Sequence, residues 1–181
     1  MDRIVNAISG DGMVRIRVLE GKNMVEEARR IHNTTPTTTA LLGRVIMAAS
    51  LMGSDMKNEK DSLTLRINGN GPAGQVLAVA DSGGFVRGYV QRPAIDLPLN
   101  SQGKLDVGGA VMGKPEDNLE NKGTLTVIKD LGLKEPYVGQ IDLVSGEIGD
   151  DVTAYLFQSE QIPSVCGLGV LVDTDCSVKV A

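Results

Sequence analysis

The chain has 181 residues, of which 41% are hydrophobic and 23% charged, a composition and length that fit one globular domain rather than a disordered chain. A net charge of −5, no tryptophan, three tyrosines and two phenylalanines offer neither the basic face nor the stacking platforms that nucleic-acid binding requires. The opening MDRIVNAISGDGMV lacks the basic start and long apolar run of a signal peptide, and no stretch reaches the ~20 apolar residues of a membrane span. Cys166 and Cys176 are the only cysteines, too few for a disulfide scaffold and in keeping with a reducing cytoplasm.

Residues 3–9 and 13–19 read as strands around the turn Gly10-Asp11-Gly12, the second alternating Val14, Ile16 and Val18 with Arg15, Arg17 and Leu19. Asn23 followed by Glu26 has the form of a capping box and predicts a short helix with Val25, Ala28 and Ile31 on one side. Asn33-Thr34-Thr35-Pro36 then breaks the chain before Thr37–Gly53, the most apolar run of the sequence. Its apolar residues lie on every side of a helical wheel, which predicts a buried central helix about 24 Å long. Pro36 suits the first helical turn, and the neighbouring threonines offer capping hydroxyls.

Beyond the polar loop SDMKNEKD, three strands (Leu63, Leu65 and Ile67 in the first, then QVLAVAD and FVRGYVQ) form a meander joined by GNGPAG and DSGG. Residues 92–121 are irregular, with a short strand expected around Lys104–Val107. The stretch 112–123 is a hydrophilic loop with a tip open to disorder. TLTVIKDL and YVGQIDLV follow as strands, then a helix capped by Ser145 and running through GEIGDDVTAYLFQSEQ to its stop at Pro163. Val152, Tyr155, Leu156 and Ser159 form its expected inner face. GLGVLVD and SVKVA close the chain as two strands around Asp173–Cys176. The elements describe an α+β fold, mainly antiparallel sheets packed with a few helices, over one domain spanning 1–181. The pattern stops in mid-strand at Val180-Ala181, so a longer natural protein is expected to continue beyond it.

Chemistry is sparse. GNGPAG lies between two strands and lacks the helix N-terminus, lysine and hydroxyl of a phosphate cradle, so it reads as a turn. Glu147, Asp150 and Asp151 lack the alternation of a calcium loop and suit the positive end of a helix. His32, the only histidine, has no evident nucleophile or orienting partner. Cys166 and Cys176 lack metal-ligand spacing, and a turn at Asp173–Cys176 sets Cys176 opposite Asp173, too far along the ladder from Cys166 for a disulfide. Arg44 is the inconsistency: a charge in an apolar helix requires a partner, and the Glu147, Asp150 and Asp151 cluster is the expected carboxylate source.

The ordered run RRIHNTTPTTTALLGR, LTLRINGNGPAG, FVRGYVQRP, GKLDVGGAV, KGTLTVIKDLGLKEPYVGQIDLVSGEIGDD and SEQIPSVCGLGVLVD resembles the redox-regulated bacterial heat-shock chaperone of about 33 kDa, the heat shock protein 33 family, from Asp2 to Ala181. The resemblance implies a cytoplasmic, ATP-independent holdase with a core of twisted sheets, which binds unfolded client proteins under heat and oxidative stress and dimerises when activated. It also implies a separate C-terminal redox-switch domain holding zinc through four cysteines in CxC and CxxC arrangement, which this sequence lacks. Cys166 and Cys176 match none of those ligands, so no zinc or other cofactor is expected in this chain. The loop 113–121 is longer than the family pattern.

A non-enzymatic holdase needs exposed apolar surface rather than a reaction centre. The alternative is a small-ligand-binding protein or enzyme built on Arg44 and the Glu147–Asp151 cluster, which demands a deep polar pocket there. A purely structural dimerisation module is the third reading.

Overall fold

The computed structural model describes residues 1–113 and 123–181. Strands β1 (Arg3–Ile8) and β2 (Arg15–Glu20) form an antiparallel hairpin in the predicted place, in which Val5 faces Val18 and Ala7 faces Ile16. They make a two-stranded sheet of their own. Helix α1 (Lys22–His32) begins after Gly21, without a side-chain cap from its own sequence. The expected Asn23–Glu26 capping box does not form. Asp2 takes the role from a distance, its carboxylate accepting from the main-chain N–H groups of Asn23 (2.9 Å) and Met24 (2.6 Å). Glu26 instead binds Arg29 and the Val178 N–H. Val25 is buried, whereas Ile31, expected on the same inner side, is exposed.

Asn33 ends α1 in the left-handed conformation that asparagine tolerates, and α2 (Pro36–Gly53) follows. Fourteen of its eighteen residues are buried, as a helix apolar on all sides demands. The threonine hydroxyls do not cap it. Thr37 Oγ1 donates to Asp96 (3.0 Å) and accepts from the Leu97 N–H (3.3 Å), so the helix start grips the irregular segment that follows the meander.

Strands β3 (Ser62–Asn68), β4 (Gln75–Asp81) and β5 (Val86–Val90) form the meander, and β6 (Thr124–Asp130) and β7 (Tyr137–Asp142) join its other side to give an antiparallel sheet of order β5-β4-β3-β6-β7. Alternation sends Leu63, Leu65, Ile67, Val76, Ala78 and Val127 to the buried face against α2, each leucine or isoleucine contributing about 2 kcal/mol by burial. The GNGPAG turn lies hard against helix α3 (Val107–Met112): the Gly71 and Ala73 N–H groups donate to the carbonyls of Val111 and Ala110, and a Cβ on Gly69 would stand 1.9 Å from the Val111 oxygen. Glycine is required there for close approach, not for a phosphate.

The strand expected around Lys104–Val107 does not form: residues 104–106 have no regular structure, and helix α3 begins at Val107. Asp106 caps it by accepting from the Gly109 N–H (2.9 Å), and Val107, Ala110 and Val111 are buried. Helix α4 (Gly149–Gln158) starts four residues after Ser145 and ends five before Pro163, shorter at both ends than its sequence pattern. Of its expected inner face, Val152 and Tyr155 are buried, and Leu156 and Ser159 half-buried. In the closing hairpin β8 (Leu171–Val172) packs on α2 and β9 (Val178–Val180) on α1, with only two residues of GLGVLVD in strand form. The predicted loop tip at 114–122 lies outside the described residues. The α+β class with mainly antiparallel sheets and a central apolar helix is the fold observed.

Candidate functional site

The predicted polar cluster sits where the start of α4 meets α2 and α3. Arg44 Nη1 donates to the carboxylate of Glu147, and at 3.4 Å to its main-chain oxygen. The second carboxylate oxygen of Glu147 accepts from the Gly108 N–H (3.3 Å) in α3, so one side chain links three helical segments. Arg44 is largely buried, and its Nε has no hydrogen-bond partner among the described residues.

Asp151 and Asp150 do not reach Arg44; they organise the loop ahead of α4. The fully buried Asp151 carboxylate accepts from three main-chain donors: Val144 at 2.7 Å, Ser145 at 3.0 Å and Ile148 at 3.0 Å. Those bonds hold Ile148 at a positive φ (φ 63°, ψ −50°), an unusual state for a β-branched residue, with its side chain in the core. Exposed Asp150 accepts from Ser145 Oγ (3.1 Å). Each carboxylate is thus engaged by groups of the fold itself.

Two open depressions, of about 350 Å³ and 260 Å³, lie elsewhere: one between the β1–β2 hairpin and Asp55, the other beside Phe85 and Arg87. Neither is lined by Arg44 or by residues 147–151. Among the described residues no group of three or more His, Cys, Asp or Glu side chains could hold a metal ion, and no helix is long and apolar enough to cross a membrane. His32 is half-buried at the last residue of α1. Both cysteines are free; Cys166 is partly buried against the core and Cys176 is exposed in its turn.

A second polar cluster escaped sequence analysis. Tyr155, fully buried, donates its hydroxyl to Glu160 Oε1 (2.7 Å), which also takes the Lys129 ammonium at 2.5 Å. Burial and then Glu160 push the Tyr155 phenol far up. Burial pushes Glu160 up too, but the hydrogen bonds from Lys129 and Tyr155 outweigh it and hold its carboxyl below the ordinary range. A phenol that keeps its proton and donates it in a hydrogen bond to a paired carboxylate serves as a brace between β6 and α4.

The surface feature that stands out is apolar. On the β1–β2 hairpin Val5, Ile16 and Val18 are 52%, 53% and 57% exposed, and all three share one face. The opposite face is tied down: Ile4 lies against Gly84, and Arg15 and Arg17 both bind Asp55 beyond the end of α2. Period-two alternation of valine and isoleucine with arginine had the form of an inward apolar face. Here the arginines turn toward the body and the apolar residues toward solvent. No signal in the chain separates those cases.

The profile of the Hsp33 protein family matches residues 2–181. A curated 33 kDa chaperonin of Agathobacter rectalis is 52% identical over 98% of this chain and 59% of its own length, and one of Clostridium tetani is 50% identical over 98% and 58%. The crystal structure of the 33 kDa chaperonin (heat shock protein 33 homolog) of Thermotoga maritima superposes with a TM-score of 0.88 at 44% identity, covering 98% of this chain and 58% of that one. The chain spans somewhat more than half the length of the relatives it matches. With the family profile matched over nearly its whole length, this chain belongs to the Hsp33 family.

Proposed function

We propose that this chain is the core of an ATP-independent holdase, a non-enzymatic chaperone that holds unfolding proteins through exposed apolar surface. The observation that carries the reading is the open apolar face of the β1–β2 hairpin, on a chain belonging to a family whose relatives are named chaperonins. An exposed apolar face marks an interaction surface, which is what a protein that binds unfolded chains needs. The core spans 1–181 and acts in the cytoplasm under heat and oxidative stress. It forms a homodimer when active, and redox control lies in a zinc domain with four cysteines, a set that the two cysteines of these 181 residues do not supply. Arg44 and Glu147 serve as a structural ion pair, with Asp150 and Asp151 shaping the loop beside it. The test is light scattering of thermally unfolding citrate synthase with and without the chain, in the absence of nucleotide. Suppression at near-stoichiometric ratio supports the reading; unchanged aggregation overturns it.

A further inference from the structure

Within the hairpin, the Ser9 N–H donates to the Val14 oxygen (2.8 Å), and the facing pairs run without a shift through Ala7–Ile16 and Val5–Val18 to Arg3–Glu20. Antiparallel ladders alternate bonded and non-bonded pairs. The main-chain groups of Arg3, Val5 and Ala7 therefore point at β2, and those of Ile4, Asn6 and Ile8 point away from it. Among the described residues β1 pairs with no other strand, so that outer edge is open. Natural proteins blunt open edges with lysines, prolines or inward charges. Between Arg3 and Asp11 this one carries none of them: the run is IVNAISG.

We propose that the outer edge of β1 takes an extended, uncharged segment of an unfolded polypeptide as a third strand. This proposal rests on the holdase reading and gives it a location. Ile4, Asn6 and Ile8 supply main-chain donors and acceptors, which bind any sequence alike. Specificity comes from the face. An added strand sets every second side chain beside Val5 and Ala7, extending the exposed apolar surface that Ile16 and Val18 continue. The segment preferred is one that alternates β-branched or aromatic residues and carries no charge on that side. Size decides against a second copy as occupant. Six residues give an edge of about 20 Å, whereas a stable dimer buries about 20–30 residues a side. An edge this short suits reversible capture of a strand.

Amide hydrogen exchange by NMR tests the edge directly, with reduced, carboxymethylated α-lactalbumin as the unfolded probe. On adding it, the Ile4, Asn6 and Ile8 amides slow at least tenfold, while those of Val5 and Ala7, already bonded to β2, change little. Asn6→Pro removes an outward donor that β2 does not use, and Ala7→Lys places a charge on the apolar face without touching the ladder. Both variants lose severalfold in suppression of citrate synthase aggregation at an unchanged melting temperature; should Asn6→Pro fail to fold, Ala7→Lys and the wild-type exchange data decide alone. Suppression without protection of those three amides overturns the edge and leaves the holdase reading standing. Protection that rises with the chain's own concentration, before any probe is added, assigns the edge to a second copy and overturns the proposal. No binding and no suppression by the wild type removes both.

Discussion

Arg44 and Glu147, 103 residues apart in sequence, are joined by a direct hydrogen bond from guanidinium to carboxylate. The pair fixes the loop before α4 against the central helix. Arg44 is only 14% exposed at its side chain and Glu147 is 38% exposed, so the arginine suffers more when the partnership ends. Glu147→Ala leaves a mostly buried cation without its carboxylate and is expected to destabilise the fold by about 2–3 kcal/mol. Arg44→Met added to Glu147→Ala removes the charge requirement and recovers at least half of that loss. Urea unfolding of the two single variants and the double closes the cycle. Additive losses in the double variant mean that the pair is not coupled.

Asp151 answers a different need. Its carboxylate satisfies three main-chain donors in a loop that carries a buried residue at positive φ. Asp151→Asn keeps one acceptor oxygen and turns an amide N–H₂ toward a donor. The expected cost is about 1–3 kcal/mol per N–H left unpaired. The Val144, Ser145 and Ile148 amides should exchange faster than those of the β3–β6 ladder, which hydrogen exchange of the variant measures. Uniform loss of protection across the sheet contradicts a role confined to the loop.

The long-range plan was legible where burial and periodicity coincide. Leu63, Leu65 and Ile67 alternate with polar residues and do face the core, and the all-round apolar run of α2 is buried on nearly every side. What failed depended on partners distant in sequence or on local glycine content. α1 is capped by Asp2, about twenty residues upstream, so no local motif marks its start. α3 is written VGGAVM, whose two glycines argue against a helix until Asp106 caps it and packing on the GNGPAG turn holds it. The start of α4 is displaced because Asp151 draws residues 144–148 into a loop. The hairpin's solvent-facing valines carry the pattern of a buried strand, so the candidate functional surface was invisible before the fold.

The GNGPAG turn predicts two opposite outcomes for one kind of substitution. Gly69→Ala drives a methyl group into the main-chain carbonyl of Val111, where nothing flexible gives way. Gly167 has open space around its Cβ position and no positive φ. Gly69→Ala is expected to cost about 3 kcal/mol or more by overpacking, and Gly167→Ala to stay within about 0.5 kcal/mol of the parent. Thermal melts of the two side by side make the comparison. Equal melting temperatures overturn the tight-approach account.

Glu160 sets a pH dependence. Its carboxyl is held low in the folded chain, because the hydrogen bonds from Lys129 and Tyr155 exceed the upward push of burial. The unfolded chain therefore takes up that proton first as the solution is acidified. The pairing stabilises the fold fully above the ordinary glutamate range and is lost as pH falls through the lower, folded value. Melting temperature followed from about pH 7 to about pH 3 should fall more steeply for the parent than for Glu160→Gln, whose curve lies below at neutral pH and converges in acid. Parallel curves contradict a linkage at this residue.

Cys166 and Cys176 should differ in reactivity and share an indifference to zinc. Burial, with Asp150 nearby, pushes the Cys166 thiol up, so little of it is thiolate at neutral pH. Cys176 is exposed in the Asp173–Ser177 turn. Titration with a thiol-reactive disulfide is expected to show one fast and one slow cysteine, and Cys176→Ser to remove the fast phase. The same chain, expressed in zinc-supplemented medium, should carry well under one zinc per chain, because two thiols of such unlike setting fall short of the four ligands of a structural site. Peroxide treatment should leave its suppression of citrate synthase aggregation unchanged. Stoichiometric zinc, or a gain of suppression on oxidation, places a switch within these 181 residues and overturns its assignment to the C-terminal part.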